Sequence, residues 1–220
     1  MKSDRQIRDD VEAALDWDPS FDSRKIGVAV KDGIVTLSGH VTAFPDRLAA
    51  QKTALSVTGV KAIANEIEIN LPLDAKRSDT DIASAAMIAL KSNISVPSDS
   101  VKVTVQDGWI SLTGKVDWWY QKNAAEMAVH YLRGVRGVSN NLTISAPPTK
   151  ASSSEVRSKI ESAFQRQAHL YAQKIKVAVE GNTVTLEGEV PTWQERWEAE
   201  TAAWSAPGVS KVQDHLVIRA

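Results

Sequence analysis

Three versions of one ten-residue stretch decide the fold: DGIVTLSGHV at residues 32–41, DGWISLTGKV at 107–116 and GNTVTLEGEV at 181–190. In each version apolar residues alternate with polar or small ones, which is the period of a half-buried β-strand. The glycine at the eighth position recurs after 75 and then after 74 residues. Because self-similarity at a fixed spacing indicates a repeat architecture, the chain is predicted to hold three copies of one module.

The repeat extends well beyond these stretches. The same offsets align apolar residues at both ends of each copy: Ile7, Ile82 and Val156 at the start, and Ile67, Leu142 and Leu216 at the end. We therefore place the modules at residues 1–72, 76–146 and 152–220. Residues 71–79 and 146–155 are the predicted linkers, and the second, with two prolines followed by a serine run, is expected to be the looser one.

Each copy is predicted to begin with a helix. Ile7, Val11 and Leu15 stand at i, i+4 and i+8, the spacing of one buried helical face, and the other copies repeat this pattern. Polar residues suited to N-caps precede each helix. The predicted N-caps are Asp4, Asp79 and Ser153.

A two-residue turn is predicted between the first two strands of each copy. Asp32-Gly33 and Asp107-Gly108 separate alternating runs, and Asp-Gly is the strongest short-range signal for a hairpin because a type I′ turn needs positive φ at both central residues. Gly181-Asn182 occupies the same point in copy three and is expected to meet the same requirement.

A second helix and a third strand complete the module. The helix is expected to end near Gly59, Gly134 or Gly208, each placed to act as a C-terminal cap. The strand that follows should return parallel to the second strand through a right-handed crossover. The predicted fold class is α+β: three tandem α-β-β-α-β modules, each with two helices on one face of a three-stranded mixed sheet.

Composition limits the possible functions. The formal net charge is −1, divided as −2, +1 and 0 over residues 1–72, 73–146 and 147–220, so no module has the basic surface that nucleic-acid binding requires. The absence of cysteine excludes disulfides and thiol chemistry. We find no signal peptide and no membrane-spanning stretch. We expect a cytoplasmic protein if Met1 is the native start, and a periplasmic one if an N-terminal segment was removed.

The three copies share the pattern V-x-V-x-x-G-x-V-x-L-x-G-x-V, then a helix with spaced alanines, then G-V-x-x-V-x-N, and copy three departs from it at Asn182 and Asp214. In this pattern each copy resembles the BON domain (bacterial OsmY and nodulation). The resemblance implies a bacterial, non-enzymatic module linked to osmotic and envelope stress, whose relatives bind phospholipid surfaces or sense potassium. The matching residues of copy one are Val28, Val30, Gly33, Val35, Leu37, Gly39, Val41, Gly59, Val60, Ile63 and Asn65.

No group of residues has the spacing of a catalytic or metal site. The sequence has no P-loop, no GxSxG elbow and no HExxH motif. We therefore predict no enzyme activity, no cofactor, no catalytic residue and no metal ligand. The four histidines lack i, i+4 ligand spacing and are interpreted as surface or structural residues: His40, His130, His169 and His215.

Five of the seven tryptophans lie in or just before the second helices. At 100° per residue, Trp193, Trp197 and Trp204 form one stripe of copy three, about 120° away from the alanines that let this helix approach the sheet. The corresponding positions are Phe44, Leu48 and Leu55 in copy one, and Trp119, Asn123 and His130 in copy two.

Three interpretations of this stripe are open. It packs on the first helix of its own module, it fills a contact between modules, or it is exposed to a membrane interface or a partner. Trp and Tyr suit a bilayer boundary because each has an apolar body and a polar edge. Copy three places Glu195, Glu198 and Glu200 nearby, which would repel anionic lipid. Copy two instead has Lys115, Lys122, Arg133 and Arg136.

Copy two is therefore the stronger candidate. Trp118, Trp119 and Tyr120 are adjacent and point about 100° apart on a helix, so they cannot all face one small core. At least one should be exposed or buried only against another module, and Lys122 adds a positive charge close by. We predict that this cluster is the main contact with a membrane or a partner. The candidate binding residues are Trp118, Trp119, Tyr120, Lys122, Trp193, Trp197 and Trp204.

We expect a non-enzymatic binding protein that binds a phospholipid membrane surface or a protein partner in osmotic or envelope stress. One alternative is a potassium-responsive cytoplasmic sensor, in which backbone carbonyls near the module junctions bind the ion. Another is a self-assembling scaffold that associates through unpaired sheet edges. Nucleic acid is not an expected partner.

Overall fold

The computed structural model of the protein describes residues 2–145, 151–166 and 174–219. His169 and residues 146–150 of the second predicted linker lie outside these ranges. Within them the chain forms three modules with one common order of elements, which confirms the module architecture predicted from the repeat.

Every module runs helix, strand, strand, helix, strand. Module 1 comprises α1 (Asp4–Trp17), β1 (Ile26–Lys31), β2 (Ile34–Val41), α2 (Phe44–Leu55) and β3 (Ala62–Ile69). Module 2 comprises α3 (Asp79–Ser92), β4 (Val101–Gln106), β5 (Trp109–Val116), α4 (Trp119–His130) and β6 (Gly137–Ile144). Module 3 comprises α5 (Ser153–Arg166), β7 (Ile175–Glu180), β8 (Thr183–Val190), α6 (Trp193–Trp204) and β9 (Lys211–Ile218).

Each module has its own three-stranded mixed sheet. The first two strands pair antiparallel and the third pairs parallel with the second, in the orders β1-β2-β3, β4-β5-β6 and β7-β8-β9. The predicted α+β fold is therefore confirmed. The hairpins close at the pairs Lys31–Ile34, Gln106–Trp109 and Glu180–Thr183, which leaves the two predicted turn residues between the strands.

The two helices of each module cover one face of its sheet. Ile7, Val11 and Leu15 are all buried, as their spacing predicted, and they pack against Val35 and Leu37 of the central strand. The second helix contributes fully buried alanines, which let it lie close to the sheet. Burying each of the larger side chains contributes roughly 1.5–3 kcal/mol. The opposite face of each sheet carries the alternate, more exposed residues.

The N-caps lie one residue before the predicted positions. In each first helix a serine hydroxyl accepts the backbone N–H of the third helical residue, and the side chain of that residue bonds back to the serine. The capping serines are Ser3, Ser78 and Ser152. The prediction that Asp4, Asp79 and Ser153 are the N-caps was therefore wrong by one residue. The hydroxyl of the preceding serine caps the helix, so the side chain of the predicted residue is available for another contact.

In modules 1 and 2 the residue after the capping serine, Asp4 or Asp79, joins the first helix to the hairpin turn. The Asp4 carboxylate accepts hydrogen bonds from the backbone N–H groups of Asp32 at 2.8 Å and Gly33 at 2.9 Å. Asp79 binds the corresponding pair of module 2 at the same distances. φ is 55° at Asp32 and 79° at Gly33, so this turn has the predicted positive φ at both positions.

The turn of module 3 differs. Ser153 replaces the aspartate of the other copies, and Asn182 replaces the second turn glycine. Gly181 has a φ of 58°, but Asn182 is not among the described residues with positive φ. The prediction that both positions have positive φ was wrong here. Instead the Asn182 side-chain amide donates a 2.6 Å hydrogen bond to the carbonyl of Gly208, which ties the hairpin to the turn before β9.

The second helices end earlier than predicted. Their last residues are Leu55, His130 and Trp204, four residues before the glycines expected to cap them. Those glycines have positive φ in the turn that leads to the third strand, at 101°, 90° and 81°. A Cβ on Gly59 would lie 3.0 Å from Cδ1 of Ile7. Glycine is thus required because this turn approaches the first helix closely.

Candidate functional site

The second-helix stripe of module 1 packs mainly on module 2. Phe44 is 7% exposed and belongs to the buried cluster of module 2. Its ring meets the His130 ring edge-on, with 5.5 Å between ring centroids. Leu48 packs against the same cluster, whereas Leu55 packs on the core of module 1. For Phe44 and Leu48 the stripe therefore fills a contact between modules.

Two of the module 3 tryptophans also face module 1. The Trp193 indole donates a 3.1 Å hydrogen bond from Nε1 to the carbonyl of Lys61. Arg196 holds its guanidinium carbon 4.9 Å from the centroid of the Trp193 ring. Lys52 of module 1 places Nζ 5.8 Å from the ring centroid of Trp197, which is 49% exposed. Trp193 and Trp197 therefore lie at a module contact.

The third tryptophan of the stripe is placed differently. Trp204 is half-buried against the core of its own module, and its Nε1 donates to Glu200 Oε1 at 3.3 Å. The three tryptophans thus divide between two roles. The structure does not present them as one shared surface.

A cleft of about 380 Å³ lies where the second helices of the three modules meet. Its walls are largely apolar, with one lysine, one histidine and two glutamines. The residues that form it include Leu48, Lys52, Leu55, His130, Trp193 and Trp197.

The aromatic cluster of module 2 lies at the start of α4. Trp118 and Trp119 are half-buried, and Tyr120 is 55% exposed, which confirms that at least one of the three faces outward. Lys122 is half-buried. The Gln121 side chain fixes this helix start, because its Oε1 accepts the backbone N–H of Trp118 at 3.0 Å. None of the three aromatics lines the cleft that contains the module 3 tryptophans.

A second exposed apolar surface lies on α3, for which the apolar spacing in the sequence predicted only the buried face. Met87 is 65% exposed and Ile88 is 67% exposed. Lys91 falls between them on the same outward arc at 100° per residue. Ile94, in the loop after α3, is fully exposed. We refer to Met87, Ile88, Lys91 and Ile94 as the α3 surface.

The α3 surface is specific to module 2. Module 1 has Glu12 and Ala13 at the positions of Met87 and Ile88, and module 3 has Glu161 and Ser162. Lys91 is the only charged residue from 84 to 98. Comparing the outward helix positions of the three copies would have revealed this surface from the sequence.

The α3 surface and the start of α4 belong to the same end of module 2. Val101 pairs with Gly114. The loop that carries Ile94 into β4 and the loop that leads from β5 to Trp118 therefore lie at one end of the sheet. The exposed charged residues on the elements that meet this end are Lys91, Lys102 and Lys115, together with Asp99 and Asp117.

His130 has a structural role at the contact between modules. Its Nε2 lies 3.3 Å from Glu126 Oε1, and Asn140 Nδ2 donates to the other carboxylate oxygen at 3.0 Å. The hydrogen bond from His130, followed by that from Asn140, holds the pKa of Glu126 below its usual value. The His130 ring then packs against Phe44, so this carboxylate supports the joint between modules 1 and 2.

In residues 2–145, 151–166 and 174–219, no group of three or more histidine, aspartate or glutamate side chains is placed to hold a metal ion. Over the same ranges, none of the helices combines the length and the apolar character needed to cross a membrane.

Comparison with known proteins identifies the modules. The family model of the BON domain matches residues 3–70, 78–146 and 152–220. The chain belongs to the BON domain family. It therefore contains three BON domains in tandem, which confirms the resemblance noted in the sequence.

Relatives of this BON protein include the osmotically-inducible protein Y of Escherichia coli (strain K12). The two are 33% identical over 146 residues, which cover 63% of this chain and 71% of that protein. A solved structure of CdsD, a structural protein of the type III secretion system of Chlamydia trachomatis, is 14% identical over 97% of this chain and 92% of its own. Its TM-score of 0.27 is too low to relate the two structures.

The asparagine of the BON pattern joins the third strand to the second helix. In the second BON domain, Asn140 accepts the backbone N–H of Leu142 and donates to the carbonyl of Lys122. In the third domain Asp214 takes this place. It accepts the backbone N–H of Leu216 at 2.9 Å and receives Arg196 Nε at 2.6 Å. The arginine supplies the positive charge that the aspartate requires, so the bridge is kept.

Proposed function

We propose that this BON protein is a non-catalytic binding protein that attaches to the surface of anionic phospholipid membranes through its second domain. The observation that supports this proposal is the α3 surface. It combines three exposed apolar side chains with Lys91, and no acidic residue lies from 84 to 98. Ile82, Ala86 and Leu90 hold α3 on the module core, so its outward apolar side chains are free to insert into the headgroup region of a bilayer while Lys91 meets the anionic surface.

The expected free energies of these contacts are sufficient for reversible attachment of the protein to a membrane. Full burial of a methionine or isoleucine side chain contributes roughly 1.5–3 kcal/mol, and a basic residue near an anionic surface adds about 1 kcal/mol. Tyr120 and the half-buried Trp118 extend the surface at the same end of the domain, where their polar edges suit the headgroup region. The predicted role of Trp118, Trp119, Tyr120 and Lys122 is kept as part of this larger contact.

The name of the Escherichia coli relative supports a role in osmotic stress. Because that protein is described as osmotically inducible, we propose that attachment serves the cell in osmotic stress. A protein partner on the same surface, a potassium-responsive sensor and a self-assembling scaffold stay predictions.

Vesicle co-sedimentation tests the proposal. Vesicles of phosphatidylglycerol and phosphatidylcholine should bind the protein, vesicles of phosphatidylcholine alone should bind it more weakly, and added salt should weaken the first interaction. The double variant Met87→Glu/Ile88→Ala places the residues of α1 on α3. It should fold normally and lose roughly tenfold or more in affinity for the anionic vesicles.

A matched control is available in module 1. Ile34 is 47% exposed, and module 3 has threonine at its position, so Ile34→Thr removes an exposed apolar side chain without touching the α3 surface. This variant should bind vesicles like the unchanged protein. Equal vesicle binding by the α3 double variant would refute the membrane contact, and no binding by the unchanged protein would favour a protein partner.

A further inference from the structure

A groove of about 840 Å³ runs between modules 1 and 2 on the side of the module 2 sheet that carries no helix. One wall is the edge strand β3, from which Glu66 and Glu68 project, and Asn70 follows directly after the strand. The other wall is the open face of β4 and β5. Five strand residues span roughly 16 Å, so the groove is elongated and suits a chain-like ligand.

Trp109 forms a flat aromatic platform in this groove. Its cross-strand partner is Gly137, and a Cβ on that glycine would collide with the ring carbons of Trp109. The ring therefore lies across β6, where only glycine leaves room for it. Its Nε1 donates to Ser139 Oγ at 2.8 Å, which fixes the ring orientation, and 46% of the residue stays exposed.

Small polar side chains stand beside this platform. Thr104 and Ser111 are cross-strand partners in the row next to Trp109, and Gln106 pairs with Trp109 itself. All three line the groove. Within the part of the chain that the structure describes, the hydroxyls of Thr104 and Ser111 have no hydrogen-bond partner. The platform is thus bordered by hydroxyl and amide groups that can bind a ligand.

The platform occurs in one module. At the Trp109 and Gly137 positions module 1 has Ile34 and Ala62, which also form a cross-strand pair. Module 3 has a threonine and a lysine at these positions. The fold of the repeat therefore does not require the aromatic ring or the glycine beneath it.

The charges of the groove favour a neutral ligand. Three carboxylates and two guanidinium groups line it, so a strongly anionic or cationic chain would meet like charges along its length. Planar carboxylate and guanidinium groups can instead each bind a pair of neighbouring hydroxyls. The charged residues are Arg47, Glu66, Glu68, Asp107 and Arg136.

We infer that this groove binds an oligosaccharide of neutral, equatorially hydroxylated sugar rings. Such a ring has an apolar face of C–H groups, whose slightly positive hydrogens are attracted to the negative face of an indole. Its edge has hydroxyls that match the polar border of the groove. A site built to bond hydroxyls rejects ligands that lack them, because its own polar groups would then be left unpaired.

Nuclear magnetic resonance of the full chain tests the inference, with cellohexaose and chitohexaose as probes. Each of the seven tryptophans has one indole N–H signal, and the signal missing in the double variant Trp109→Ile/Gly137→Ala belongs to Trp109. This variant installs the Ile–Ala pair of module 1, so it should stay folded. One of the two probes should shift the Trp109 signal saturably, and the variant should bind it roughly tenfold more weakly.

Two outcomes would overturn the inference. In the first, neither probe shifts the Trp109 signal of the folded protein. In the second, the double variant binds the probe as well as the unchanged protein. The Trp109 ring would then serve only to cover Gly137 and would not contact the ligand. The variant should keep its binding to anionic vesicles, so this result is independent of the proposed membrane contact.

Discussion

Gly108 donates its backbone N–H to Asp79 Oδ1 at 2.9 Å, a hydrogen bond between residues 29 positions apart. The same carboxylate accepts the N–H of Asp107. One aspartate in the first turn of α3 therefore holds both amides of the hairpin turn of the second BON domain. Module 1 repeats the arrangement, whereas module 3 has Ser153 at the aspartate position.

Removal of the Asp79 carboxylate should loosen the module 2 hairpin. Asp79→Ala leaves two backbone N–H groups without their acceptor, and we expect a loss of about 1–3 kcal/mol in the free energy of unfolding. Hydrogen exchange at the amides of Asp107 and Gly108 should accelerate. Ser153→Ala is the matched control in module 3 and should change stability by less than about 0.5 kcal/mol. Equal effects of the two substitutions would argue against this role of Asp79.

The third BON domain offers a test of the bridge between its last strand and second helix. Asp214→Ala should cost about 2–4 kcal/mol, because it leaves Arg196 without its partner at a half-buried site and the Leu216 N–H without an acceptor. Asp214→Asn restores the residue of the other two domains and keeps the bond to Leu216. It should cost clearly less in urea-induced unfolding. If both substitutions were equally harmful, the bridge would depend on the charge alone.

Acid should weaken the joint between modules 1 and 2. The hydrogen bond from His130 keeps the pKa of Glu126 below its usual value of 4.5. The ionised carboxylate therefore stabilises the fold above that value, and this contribution is lost as the pH falls through the lowered pKa. The melting temperature should fall more steeply between about pH 5 and about pH 3 than in Glu126→Gln. Parallel curves for the two proteins would contradict the expectation.

Trp193 and Trp204 should respond differently to truncation. Trp193→Ala removes the indole hydrogen bond to Lys61, so module 3 should dock less firmly on module 1. Small-angle scattering should then show a larger radius of gyration, with each module still folded. Trp204→Ala should instead lower the stability of module 3 by about 2 kcal/mol, because this half-buried ring packs on its own core. An unchanged radius for Trp193→Ala would disprove the docking role.

Trp118 should contribute more to binding than to folding. It is half-buried at the N-cap of α4 and lies at the same end of module 2 as the α3 surface. Trp118→Ala should weaken binding to phosphatidylglycerol vesicles, while costing well below the roughly 3–5 kcal/mol of a fully buried aromatic. A loss of stability on that larger scale with unchanged vesicle binding would make Trp118 a packing residue.

The fold of each module is encoded locally, and this is why the sequence was sufficient to predict it. The spacing of Ile7, Val11 and Leu15 and the alternation through Val35 and Leu37 reflect helix and strand geometry, and each signal occurs three times. The caps and helix ends were less accurate, because neighbouring polar residues such as Ser3 and Asp4 compete for the same role. Which of them caps the helix depends on what the other can reach in three dimensions.

The use of the second-helix stripe was decided by tertiary structure. Phe44, Trp193 and Trp204 all belong to the second-helix stripe that the sequence predicts. In the structure, however, Phe44 packs on module 2, Trp193 forms a hydrogen bond to module 1, and Trp204 packs on the core of its own module. Side-chain periodicity tells which face of a helix is apolar, but an apolar face is equally favourable against any apolar surface. Only the arrangement of the modules determines which surface covers an apolar face, and it leaves the outward side chains of α3 and Trp109 among the exposed apolar features of module 2.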